Sequence, residues 1–125
     1  YEKGYGLLID ILKETIFAAF RVFGIGGQVY FSSQMQATGT KADLVLNICR
    51  ELKADIYLSG RGAVDYFRDE DYVKFANAGT QIIFQEFQHP IYKQFNSETF
   101  VPGLGCLDYL FNCGIAESGR MFSEK

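Results

Sequence analysis

Histidine is the side chain best suited to moving a proton near neutral pH, and this chain has a single one, His89, within the stretch FQEFQHPIY. Glu86 stands three residues earlier, near enough in a loop for its carboxylate to orient the imidazole, so the pair has the makings of a general base. A histidine beside a proline equally serves as a hydrogen-bonding anchor of a loop. Spacing assembles neither a serine–histidine pair nor a metal triad around it. A second loop, LSGRGAVDYF (Leu58–Phe67), offers anion chemistry. Ser59, Gly60 and Gly62 permit close backbone approach to a phosphate or carboxylate, Arg61 adds a permanent charge, and Asp65 and Tyr66 can hold polar substrate groups. These glycines form no Walker A or dinucleotide fingerprint. The alternative is that they turn the chain and that Arg61 points to water. A third candidate is Thr40–Lys41 at a helix start, a place where a phosphate can bind or where Thr40 merely caps.

The elements that must position these groups follow from periodicity. Leu8, Ile11, Leu12, Phe17, Ala19, Phe20 and Phe23 recur at helical spacing until Gly24 and Gly26–Gly27 end the pattern. QVYFSS (Gln28–Ser33) reads as a strand. Thr40, with Asp43 three residues on, opens a second helix with the stripe Val45, Ile48, Cys49 and Leu52. DIYLSG is a second strand, DEDYVKFANAG a short helix capped by Asp69 and ended by Gly79, and TQIIFQEF a third strand. The segment from Gln88 to Pro102 is irregular. LGCLDYLFNCG is a last helix with Leu104, Leu107, Leu110 and Phe111 inward, Gly114 as its stop and a fraying tail. The alternation predicts an α/β fold, a parallel sheet layered with helices in the Rossmann manner, as one domain over residues 1–125. In such a sheet ligands bind beyond the carboxyl ends of the strands, where the loops after QVYFSS and DIYLSG lie.

Composition narrows the function classes. A net charge of −3, with no basic run, argues against nucleic acid or an anionic membrane as partner. Asp10, Lys13, Glu14 and Arg21 interrupt the most apolar segment, so no membrane span is expected. Cys49, Cys106 and Cys113 include no CxxC pair, and Cys106 and Cys113 would lie ~10 Å apart on a helix, too far for a disulfide. Buried, reduced thiols and a cytoplasmic location are the expectation, with no zinc. The chain opens at Tyr1 rather than methionine, which suggests a portion of a longer protein.

Together, ICRELKADIYLSGRGAVDYF, FQEFQHPIYKQF and FVPGLGCLDYLFNCG occur in the order and spacing of the C-terminal part of the WbqC-like family, which this sequence resembles from about Thr40 to Gly114 and, more loosely, back through the first helix and strand. The family motifs in question are "YLSG" followed by "DY", then "FQ.F.HP.Y.Q", then "FVP.L...D.LFN.G". Two features depart from the pattern: the proline- and tryptophan-rich opening of longer members is absent, and Arg61 stands where relatives carry a small residue. The family is encoded in bacterial O-antigen (lipopolysaccharide) gene clusters. The resemblance implies transfer of an acyl or aminoacyl group, such as glycine, to an amino sugar or sugar nucleotide. In that scheme His89 and Glu86 do the proton chemistry. Ser59, Gly60, Arg61, Gly62, Asp65, Tyr66, Thr40, Lys41 and Tyr92 hold a small-molecule substrate, either a sugar nucleotide or an activated amino acid. No cofactor is named, and a homo-oligomer is left open. Two other classes remain: a nucleotide-dependent ligase or nucleotidyltransferase, and a non-catalytic binding module presenting Tyr1, Tyr5 and the first helix.

Overall fold

The computed structural model describes residues 4–122, which divide into two compact units, one of residues up to Gln28 together with those from His89 on, the other Val29–Gln88.

The unit Val29–Gln88 holds the α/β layers. Helix α2 (Lys41–Leu52) is followed by strand β1 (Ile56–Ser59), a 3-10 segment (Arg61–Tyr66), helix α3 (Asp69–Asn77) and strand β2 (Gln81–Phe84). The two strands are parallel, with Tyr57 opposite Ile82 and Ser59 opposite Phe84. Alternation decides the faces. Tyr57, Ile82 and Phe84 pack against Ala42, Leu46, Cys49, Phe67 and Phe75, while Ile56, Leu58 and Ile83 on the other face stay exposed. Phe75, at 1% exposure, is the centre of this core, its ring 6.0 Å from Tyr57 and 5.7 Å from Phe67. The turn from α2 to β1 uses Lys53 in the left-handed conformation (φ 54, ψ 40). Gly79 (φ 76) closes α3 as its position predicts. Asp69 is the first residue of α3 rather than its cap. The cap position is Arg68, whose backbone N–H donates to the Asp71 carboxylate at 3.0 Å.

The expected strand Gln28–Ser33 is not one. Its first residues have no regular structure, and Ser32–Gln34 is a 3-10 turn. β-Branched and aromatic residues make a strand only where a neighbouring strand supplies partners. Here the following segment is tied to α2 instead: the Glu51 carboxylate accepts the N–H groups of Gln36 (3.1 Å) and Ala37 (2.7 Å), and the Asn47 amide donates to the Thr38 carbonyl (2.8 Å). The parallel sheet of the α/β layers therefore has two strands, not three.

The other unit pairs α1 (Leu8–Val22) with α4 (Cys106–Arg120). Gly114 (φ 82, ψ 171) breaks α4 as the sequence predicts, but the helix resumes beyond it and the tail packs as far as Phe122, residues 123–125 lying outside the described residues. Ser118 is fully buried and donates to the Gly114 carbonyl at 2.8 Å, and the Phe122 ring lies 6.1 Å from Phe23. Leu104, Leu107 and Phe111 are not inward, being 39%, 59% and 83% exposed, and Tyr109 is the buried residue of this helix's first half. Cys106 is exposed, contrary to the expectation of three buried thiols. Cys49 is buried, and desolvation pushes its thiol above the usual range. Among the described residues no helix is long and apolar enough to cross a membrane.

Candidate functional site

Helix α2 leads through a short turn into β1, so the two run antiparallel and the start of α2 lies at the carboxyl edge of the sheet. The start of α3 lies at the same edge, because α3 follows β1. Between these starts is a cleft of about 400 Å³, within the usual size range of small-molecule sites. Thr40, Lys41 and Asp43 come to it from α2, Asp65 and Tyr66 from the 3-10 segment, and Arg68, Glu70, Asp71 and Lys74 from α3.

The charges in this cleft fall into two groups. One is internally matched. Lys74 Nζ donates to Asp43 at 2.8 Å and lies 3.7 Å from Asp71, and Arg68 lies 3.6 Å from Glu70. The Asp43 carboxylate, accepting that hydrogen bond, holds the Lys74 ammonium in its charged form and raises its pKa, so Lys74 is a structural cation rather than a base. The second group is Thr40, Lys41, Asp65 and Tyr66, whose side chains make no hydrogen bond or ion pair among the described residues. Thr40 stands at the N-cap of α2 without a side-chain capping bond, and Asp43 is turned to Lys74 instead of completing a capping box. Capping therefore does not account for the Thr40 hydroxyl.

Four of the residues singled out in the sequence thus converge, and the rest do not. Ser59, Gly60, Arg61 and Gly62 lie between β1 and the cleft without lining it. Ser59 is buried, its hydroxyl reaching only the Gly60 carbonyl at 3.5 Å. Arg61 is exposed. Gly60 (φ −68, ψ 150) has backbone angles that any residue adopts, and a Cβ added at Gly60 or Gly62 would meet nothing within 4 Å. The chain does turn here, the Ala63 N–H donating to the Gly60 carbonyl at 3.0 Å, but neither backbone angles nor packing demand glycine for it. Sequence reading missed Arg68, Glu70, Asp71 and Lys74 as cleft residues. The acidic run at the start of α3 looks like an ordinary helix start, and the Lys74–Asp43 contact spans 31 residues, beyond any local pattern.

Glu86 and His89 are both exposed and belong to different units. Tyr92 is held in a network that ties the segment after His89 to α4. Its hydroxyl donates to Asp108 at 2.7 Å, which raises the phenol pKa, and its ring lies 4.8 Å from Tyr109 in an edge-on contact. The buried Gln94 side chain donates to the Val101 carbonyl at 2.9 Å and accepts the Val101 N–H at 2.8 Å. Asn112 accepts the N–H of Phe95 at 2.6 Å and donates to the Asp108 carbonyl at 2.8 Å. "Y.Q", "FV" and "D.LFN" are therefore one hydrogen-bonded unit, and its inward pull on Asp108 and Tyr109 leaves Leu107 and Phe111 facing out.

No curated protein and no solved structure matches the chain. The model of the WbqC-like protein family does match, and over residues 1–119, so the likeness reaches well upstream of Thr40 and takes in α1 and the segment after it. With nearly the whole chain covered, and with the signature residues Tyr92, Gln94, Val101, Asp108 and Asn112 joined in one network, the chain belongs to the WbqC-like protein family.

Proposed function

We propose that this protein acts in bacterial surface-polysaccharide biosynthesis as a transferase, moving an acyl or aminoacyl group onto the amine of an amino sugar or sugar nucleotide. The observation that carries the reading is the family match over residues 1–119 together with a polar cleft at the carboxyl edge of the parallel strands. That edge is where α/β sheets bind ligands. Thr40, Lys41, Asp65 and Tyr66 hold the acceptor, and the backbone from Ser59 to Gly62, free of Cβ atoms at two positions, lets an anionic part of a ligand approach. The acceptor's amine, as the free base, attacks the acyl carbon, the bond to the donor's activating group breaks with its electron pair leaving on that group, and the amine proton passes to a general base, for which His89 is the candidate.

The test is incubation with an amino sugar nucleotide and an acyl or aminoacyl thioester, without ATP, followed by mass spectrometry of the sugar. An N-acylated product is expected. His89→Ala should keep the fold and lose turnover by about 10²-fold or more, the usual weight of a general base. Full activity in that variant removes His89 from the mechanism, and turnover only with ATP converts the assignment to a ligase.

A specific observation favours a second reading, a non-catalytic binding module. Helix α1 exposes Leu8, Ile9, Leu12 and Ile16 by 45–73%, a stripe that a partner would cover. Tyr5 lies just before it at 38% exposure, and Tyr1 is outside the described residues. Concentration-dependent association without turnover supports that reading.

A further inference from the structure

The cleft also says what kind of acceptor fits it. We infer that it takes a monosaccharide-sized ligand carrying an anionic group and an ammonium together, of the class of amino sugar phosphates. This rests on reading the cleft as the acceptor site. The charges of Asp43, Arg68, Glu70, Asp71 and Lys74 are matched among themselves, so a ligand gains little from them. What remains is one cation and one anion of opposite demand: the Lys41 ammonium at the start of α2, and the Asp65 carboxylate on the 3-10 segment after β1. Neither has a partner among the described residues. A ligand with a single charge matches one of them and leaves the other unanswered, whereas a ligand with both engages both through charge-assisted hydrogen bonds. The hydroxyls of Thr40 and Tyr66, also unengaged, both donate and accept, as a hydroxyl-rich frame requires. A volume of about 400 Å³ accommodates one sugar ring with its substituents.

The experiment is calorimetric titration of the full chain with three probes: glucosamine 6-phosphate, glucosamine, and N-acetylglucosamine 6-phosphate. The first carries both charges, the second lacks the anion, the third lacks the ammonium. Glucosamine 6-phosphate should bind about tenfold tighter or better than either of the others, one charge-assisted contact separating it from each. Lys41→Met should weaken glucosamine 6-phosphate about tenfold and leave glucosamine unchanged. Asp65→Asn should weaken glucosamine 6-phosphate by a like factor and leave N-acetylglucosamine 6-phosphate unchanged. Both side chains are exposed and unpaired among the described residues, so the variants keep their fold, which circular dichroism checks. Equal affinity for the three probes, no binding of any, or variant effects that ignore which charge the probe lacks would overturn the inference. Acyl transfer that persists unchanged in both variants overturns this site and spares the transferase. Charge-selective binding with no turnover on any donor does the reverse.

Discussion

Replacing Gly60 and Gly62 by alanine separates a structural glycine from one that leaves room for something else. At Gly60 the backbone (φ −68, ψ 150) suits alanine, and at both positions the new methyl meets nothing within 4 Å. The folded state therefore loses nothing, while the unfolded chain loses conformational freedom, so each variant should be more stable by about 0.4–1 kcal/mol. For a chain of this size that raises the melting temperature by roughly 1–5 °C. Gly39 is the control. Its φ of +124 suits glycine alone, and a Cβ there would sit 3.2 Å from the Leu44 nitrogen, so Gly39→Ala should destabilise by more than about 1 kcal/mol. Thermal melts by circular dichroism measure all three. The functional half is the opposite of the stability half: if a ligand's anionic group approaches the backbone after β1, Gly60→Ala and Gly62→Ala lose acceptor or donor binding while gaining stability. A variant that is stabilised and still turns over at the wild-type rate refutes the role given to these glycines. A variant that is destabilised refutes the open space around them.

The remaining predictions concern the scaffold. Gln94→Leu leaves both the N–H and the carbonyl of Val101 without their buried partner and should cost about 1–3 kcal/mol in denaturant titration, whereas Gln94→Glu, which can still accept from the N–H, should cost less. Lys53→Gly, at a left-handed helix end where a Cβ is unfavourable, should raise stability by about 0.5–1 kcal/mol. The hydrogen bond to Asp108 raises the Tyr92 pKa, so its stabilisation is complete below the unfolded tyrosine value near 10 and is lost as pH rises through the higher folded value. Tyr92→Phe should therefore flatten, without abolishing, the fall of stability above about pH 10, because Tyr109 and Lys74 are shifted in the same direction.

What the sequence made legible, and what it hid, divides along the reach of each interaction. Local patterns sufficed for α2, β1, α3 and β2, since each is set by neighbours within one or two turns and by glycines such as Gly79 whose φ is positive. Gln28–Ser33 has the composition of a strand, but among the described residues no strand pairs with it, and the carboxylate of Glu51 takes the N–H groups of the segment that follows. The inward face of α4 departs from its hydrophobic pattern for a related reason. Hydrophobicity pointed to Leu107 and Phe111, yet the helix is turned by Tyr92 on Asp108 and by Phe95 on Asn112, polar contacts between residues 16 and 17 positions apart. The candidate site shows the same division. Thr40, Lys41, Asp65 and Tyr66 are legible as cleft-lining residues because helix starts and strand-end loops are where α/β sheets form such clefts. Their separation into free and matched charges depends on Lys74 of α3 reaching Asp43 of α2, and that contact decides which charges of the cleft are left unpaired.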